Sequence, residues 1–489
     1  MSQSGGVPFG EPSVADTVRD ATAHAGRRPT AALFELTKAK SGEKVVAGLL
    51  GIYLAYAVAR LPEVFPVLVV PKLPMVLLAL FMLLLATMFT PQVWEQVWKA
   101  SMPLKCVAVL FGLSIFTAPI GIWMGGSLAF VQNRYIIAVV IFLACLIFLR
   151  DRSSMRIAVS LFVLAVLSIA IYTLATYDPN PTLFDQYGNV VDPSEVSIDR
   201  LRPRVSLSLD SNDWGAVVAT TVPLALWLSF GGFWRRIFWT AVAITIFAGV
   251  VPTASRGSLL GLVAAGLVLV GVGATGWRRW MLTLVMVGAG FVFAAIATDG
   301  QLQRFFDFSG DDYNLQGEGR WYFWRQGIVW TIKRPTGYGI ANFGTYFDWL
   351  NGYSRAAHSM WVQYGVELGV AGLATIVYLC WYLTNRNRRL RKLALASRKA
   401  PGDIADRDAV LHGHMLAMLA GVLVTGSFLS NAYYPLTYMA LGMAAAALLG
   451  SPLMSRLESP EADQPPPPSA AETARGTTRG VTRIRRRQK

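Results

Sequence analysis

The chain has 489 residues, of which 54% are apolar and only 15% charged, and its formal net charge is +15. A soluble protein usually carries about 25% charged residues; here the charges lie in blocks between apolar runs of about 20 residues, the length that crosses roughly 30 Å of hydrocarbon as a helix. An ordinary soluble domain is therefore excluded, and nucleic-acid binding is disfavoured because the basic clusters border apolar runs instead of sharing one soluble face.

In chain order, residues 1–44 are polar, lack the short basic start and cleavage site of a signal peptide, and read as a disordered cytoplasmic segment. Twelve apolar runs follow, at 45–61, 73–90, 103–123, 135–149, 155–176, 212–231, 235–252, 257–275, 279–298, 359–383, 410–430 and 435–451. Helices are the expected spanning elements, since each satisfies its own backbone hydrogen bonds in lipid. The predicted fold is thus an all-α polytopic membrane helix bundle of about 12 transmembrane helices. Nine fall within 45–298, a region interrupted by a polar loop at 177–213; a second long loop spans 299–357; three helices occupy 358–451; and 452–489 is a basic, disordered tail.

Charge predicts the orientation. With the N-terminus cytoplasmic, most of the 44 Lys and Arg residues fall on the inside, and every short inside connection is basic, as the positive-inside pattern requires. Both termini are then cytoplasmic and both long loops lie outside. Cys106, Cys145 and Cys380 fall inside predicted spans, so none is expected in an external disulfide. No Cys/His spacing resembles a zinc site, and no GxxxxGK loop is present to cradle nucleotide phosphates.

The second long loop contains a helical pattern at 319–332, where Trp321, Trp324, Ile328 and Ile332 recur at spacings of three and four. Aromatics mixed with Arg suit a helix lying at a membrane surface, and Pro335, Gly337 and Gly339 end it.

Three outside positions carry candidate chemistry: Arg256 in a short turn, Arg320 at the start of the amphipathic stretch, and His358 where the long loop enters the tenth span. Each also has an ordinary reading, as a snorkelling or headgroup-anchoring arginine or as a hydrogen-bonded interfacial histidine. Together they suit a pyrophosphate substrate: guanidinium forks pair with phosphate oxygens, and the one outside histidine could accept a proton near neutral pH. Asp307, Asp311 and Asp312 read as a solvated acidic loop before they read as a cation site. Glu367 falls inside a span, where a carboxylate is costly. Nine positions after His358, it would face the other side of a continuous helix and act in packing or hydrogen bonding. Gly257 and Gly261 form a GxxxG pair suited to close helix packing.

These residues resemble the O-antigen ligase and polymerase superfamily of membrane glycosyltransferases. The matching pieces are Ser255-Arg256-Gly257-Ser258-Leu259-Leu260; Gly319-Arg320 with Trp324; Arg334-Pro335-Thr336-Gly337-Tyr338-Gly339 with Phe343; Ala357-His358-Ser359 leading into Trp361, Gly365, Glu367, Gly369 and Gly372; and, upstream, Asp210-Ser211-Asn212-Asp213. The resemblance covers roughly residues 205–385 in detail. It implies a GT-C-like bundle in a bacterial inner membrane, with interfacial helices in the large periplasmic loop. The activity implied is transfer of a glycan from undecaprenyl pyrophosphate to lipid A core, a protein or another glycan, with membrane lipids as the remaining partners and no cofactor, metal or nucleic acid. Arg256 and Arg320 would bind the pyrophosphate and His358 would act as base, with Ser359, Trp324, Asn212 and Glu367 in support. Ser359 stands where many members have Asn. A polymerase joining repeat units would use the same donor. A transporter or flippase is the alternative of another class, disfavoured because the notable charges gather outside and not at mid-membrane.

Overall fold

A computed structural model describes residues 41–70, 72–87, 91–176, 183–184, 190–191, 211–253, 255–273, 277–296, 320–400 and 402–457. Helices dominate these residues. Those used below are α1 (Ser41–Ala57), α2 (Leu73–Thr87), α3 (Met102–Ile120), α4 (Met124–Phe148), α5 (Arg152–Ala175), α6 (Ser211–Leu228), α7 (Phe233–Ala248), α8 (Arg256–Val268), α9 (Trp277–Ile296), α10 (Arg320–Lys333), α11 (Phe343–Asn351), α12 (Met360–Ser397), α13 (Ile404–Gly426) and α14 (Pro435–Leu449). The β-structure among the described residues is a two-stranded antiparallel ladder pairing Leu183 with Val191 and Phe184 with Val190.

Every predicted apolar run coincides with a helix. Among the described residues, six are long and apolar enough to cross a membrane: α3, α4, α5, α12, α13 and the run Phe233–Thr253 that contains α7. Shorter apolar helices lie at Leu73–Ala86, Arg256–Val272 and Pro435–Leu449. The 15 residues of α14 extend only about 22 Å at 1.5 Å per residue. The chain is therefore a multi-pass membrane protein.

α13 is the most enclosed of the six and packs against α6, α8, α12 and α14. Small residues permit this. A Cβ at Gly261 would overlap Thr425 Cγ2 and come within 3.0 Å of the Gly421 carbonyl oxygen, so Gly261 of the GxxxG pair serves close packing of α8 on α13. Large apolar side chains such as Phe116, Leu267, Trp280 and Phe291 point outward, as expected for a surface whose solvent is hydrocarbon.

Helix directions define two ends. At one end are the start of α6, the end of α7 and the start of α8: Trp214 Nε1 donates to the Gly249 carbonyl at 3.1 Å, and Ser258 Oγ to the Asn212 carbonyl at 3.4 Å. The start of α12 and the end of α13 join them, since a Cβ at Gly426 would meet Met360.

The candidate functional site

Ser255 caps α8, its side chain accepting from Ser258 N at 3.4 Å and from Ser258 Oγ at 2.8 Å. Capping by serine satisfies an orphan N–H of the first turn and sets Arg256 as the first helical residue, half-buried. Next to it, a Cβ at Gly257 would lie 3.1 Å from Phe428 Cβ. Phe428 belongs to the short connection 427–434 between α13 and α14, and its ring lies 6.0 Å from that of Trp324.

Trp324 stands one turn after Arg320, the first residue of α10, so both occupy one face of that helix. Its indole Nε1 donates to the carbonyl of His358 at 3.3 Å. The amide of His358 donates to Ser430 Oγ at 2.9 Å, and the imidazole lies 6.3 Å from the Phe323 ring. His358 has φ 49°, a left-handed conformation uncommon for a residue with a Cβ. Its amide and carbonyl are both held by side chains from other elements. Ser359 follows as the extended N-cap of α12, buried, without a side-chain capping bond. A linked run of contacts thus carries Arg256, Arg320 and His358 at one end of the bundle, through Phe428 and Trp324.

Asn212 is buried beside this cluster, and its neighbour Asp213 accepts from Tyr434 OH at 2.8 Å. Arg60 lies 6.0 Å from the Tyr434 ring and 3.4 Å from Glu63. The connection 427–434 was not singled out from sequence. Ser430, Phe428 and Tyr434 each tie a different element to it, while Ser427 Oγ accepts from Trp361 Nε1 at 2.9 Å. Its only sequence signal is polar and aromatic composition between two apolar runs.

The predicted amphipathic helix exists as α10, with Trp321, Ile328 and Ile332 exposed as an outward apolar stripe and Trp324 half-buried. Its inward face is a different set: Phe323, Gly327 and Trp330 pack with Phe343, Phe347 and Val366.

Glu367 is buried within α12. Its carboxylate accepts from Ala341 N at 2.9 Å and from Phe343 N at 3.2 Å. The geometry that permits this is a break in α12, where Gly369 adopts φ 71° and ψ −170°. The freed carbonyls of Val366 and Glu367 accept from Tyr338 N at 2.8 Å and Gly339 N at 3.0 Å, and Val370 N donates to Pro335 O at 2.9 Å. The Arg334–Gly339 turn is thus hydrogen-bonded into a broken helix, and both its backbone groups and those of the break find partners. Glycine is required on each side: a Cβ at Gly369 would overlap Pro335 O, and one at Gly337 (φ 86°) would overlap Glu367 O. Tyr338 stacks on Tyr346 with centroids 4.2 Å apart; its hydroxyl is pushed up to about 12, first by burial and then by its hydrogen bond with Tyr346.

Gly369→Ala is expected to destabilise the protein by more than the roughly 1–3 kcal/mol of holding a residue in a sparsely populated backbone region, because the overlap with Pro335 adds to it. Gly352→Ala is the control, since Gly352 shares a positive φ of 77° but has open space around its Cβ position. Thermal unfolding in detergent compares them, and equal melting points would show that the docked turn does not limit stability.

All three cysteines are free and buried. No cluster of three or more metal-ligating His, Cys, Asp or Glu occurs among the described residues. Asp307, Asp311 and Asp312 lie outside them.

No curated protein matches the chain. The family model described as O-antigen ligase matches residues 241–377, a stretch that includes Arg256, Arg320, the docked turn, His358 and the break in α12. Residues 241–377 are thus similar to the O-antigen ligase family.

Proposed function

We propose that the chain transfers a glycan from an undecaprenyl-pyrophosphate donor to an acceptor hydroxyl on lipid A core, a protein or another glycan, at the periplasmic face of a bacterial inner membrane. The observation that carries this reading is the linked run Arg256–Gly257, Phe428, Trp324 and His358, which sets two arginines and a histidine at one end of the bundle. Arg256 and Arg320 hold the pyrophosphate. The acceptor oxygen attacks the anomeric carbon as the bond from that carbon to the phosphate oxygen breaks; His358 takes the hydroxyl proton, and undecaprenyl pyrophosphate leaves. The donor is already activated, so neither ATP nor a metal is required.

The direct test is transfer by the purified protein, with lipid-linked glycan and defined acceptors, in chelator and without ATP. Transfer is expected to persist; loss of activity on chelation, restored by magnesium, would end the metal-free reading. Acceptor choice in the same assay separates a ligase from a polymerase.

Orientation has its own test. Cysteines replacing Ser206 and Gly310 are expected to react with an impermeant thiol reagent in intact spheroplasts, and one replacing Ala400 to stay protected. The three native cysteines are buried, which keeps background labelling low. Labelling at position 400 would invert the topology and remove the periplasmic site.

A further inference from the structure

At the end of the bundle opposite His358, a cavity of about 460 Å³ opens between α5, α6, α7, α9 and α13. Three arginines line it: Arg156 from the start of α5, Arg236 from the start of α7 and Arg407 from the start of α13. The Arg156 guanidinium lies 5.7 Å from the Trp227 ring, and Arg407 Nε donates to the Gly402 carbonyl at 2.8 Å, an anchor that fixes its fork. One carboxylate shares the wall, Asp406, and it is already engaged, accepting from Arg398 Nη1 at 3.2 Å and from Gly402 N at 2.8 Å. The cavity therefore gathers positive charge from three helices around a space that an anion can fill.

The remaining lining is largely apolar. Leu282 and Val285 of α9 form one wall, and the same helix turns Leu284, Val287 and Phe291 outward. A cavity with arginines at its head and a lipid-facing helix at its side matches a molecule with an anionic head and an acyl chain, and basic pockets between membrane helices suit phospholipid heads. The 18 residues of α6 separate this end from Asn212 by about 27 Å, so the cavity is distinct from the site around His358.

We propose that this cavity binds one anionic phospholipid, its phosphoryl group held by Arg156, Arg236 and Arg407 and an acyl chain running along α9. Guanidinium forks match phosphate oxygens in geometry as well as charge.

The test is native mass spectrometry of the full chain purified in neutral detergent, titrated with phosphatidylglycerol, with phosphatidylcholine of the same chains, and with inorganic phosphate. One phosphatidylglycerol is expected to bind at least about tenfold more tightly than phosphatidylcholine, and phosphate is expected not to displace it. Arg156→Gln and Arg407→Gln should each weaken binding on the order of tenfold, the scale of losing one charge-assisted hydrogen bond. Val285→Trp, which fills the cavity and keeps every arginine, should do the same. Equal binding of the two lipids would overturn the proposal, as would displacement by phosphate alone, which would make this a soluble-anion site. Unchanged phosphatidylglycerol affinity in the variants would overturn it as well.

Discussion

His358→Ala is expected to slow glycan transfer by about 10²–10⁴-fold, the usual contribution of a positioned general base, while donor binding survives. A sugar hydroxyl is a poor nucleophile until its proton leaves as the new bond forms. The structure supplies the positioning: the His358 amide is tied to Ser430 Oγ and its carbonyl to the Trp324 indole, so the ring projects from a backbone fixed at φ 49°. His358→Gln should be similarly slow, since an amide hydrogen-bonds but does not take up a proton at neutral pH. Single-turnover transfer with saturating donor, paired with a donor-binding assay, separates the possibilities. Near-normal transfer by the Gln variant would leave His358 a positioning residue; lost donor binding in the Ala variant would move it into the pyrophosphate site.

Arg256→Ala and Arg320→Ala are each expected to lower transfer by about 10²–10³-fold, the scale of removing one preorganised group from developing negative charge. In the proposed reaction that charge develops on the departing pyrophosphate. Both arginines begin helices, α8 and α10, where the positive ends of the helix dipoles add to their attraction for an anion. The two helices meet through Phe428 and Trp324, so the arginines are carried on a packed scaffold. Lysine at either position should restore little, because an ammonium keeps the charge and loses the planar fork. The measurement is transfer rate against donor concentration in protein shown to be inserted and folded. Full activity with lysine at both positions would reduce the arginines to general electrostatic attraction.

Local pattern carried much of this from the sequence. Runs of about 20 apolar residues demand helices in lipid, and each run has one. The spacing of Trp321, Trp324, Ile328 and Ile332 predicts α10, and the Gly257/Gly261 pair predicts a close helix contact, found at Gly261 against α13. The candidates Arg256, Arg320 and His358 were legible because their residue types match one chemistry and the helix order places them at one end.

What the sequence alone left open depends on contacts between distant segments. Periodicity reports which face of a helix is apolar, not which partner it meets: α10 buries Phe323, Gly327 and Trp330 and turns Trp321, Ile328 and Ile332 of the predicted stripe outward, while Trp324 reaches His358. The turn at Arg334–Gly339 could be recognised as a motif, but its reason lies in α12, where Gly369 breaks the helix and releases two carbonyls for Tyr338 and Gly339. Glu367, a costly charge within a span when read alone, is explained by the Ala341 and Phe343 amides it accepts. The connection 427–434 became central only on folding, because Phe428, Ser430 and Tyr434 reach α8, His358 and α6 across many intervening residues. Chain-local hydrophobicity determined the helices; which backbone groups and side chains satisfy one another was decided by how those helices pack.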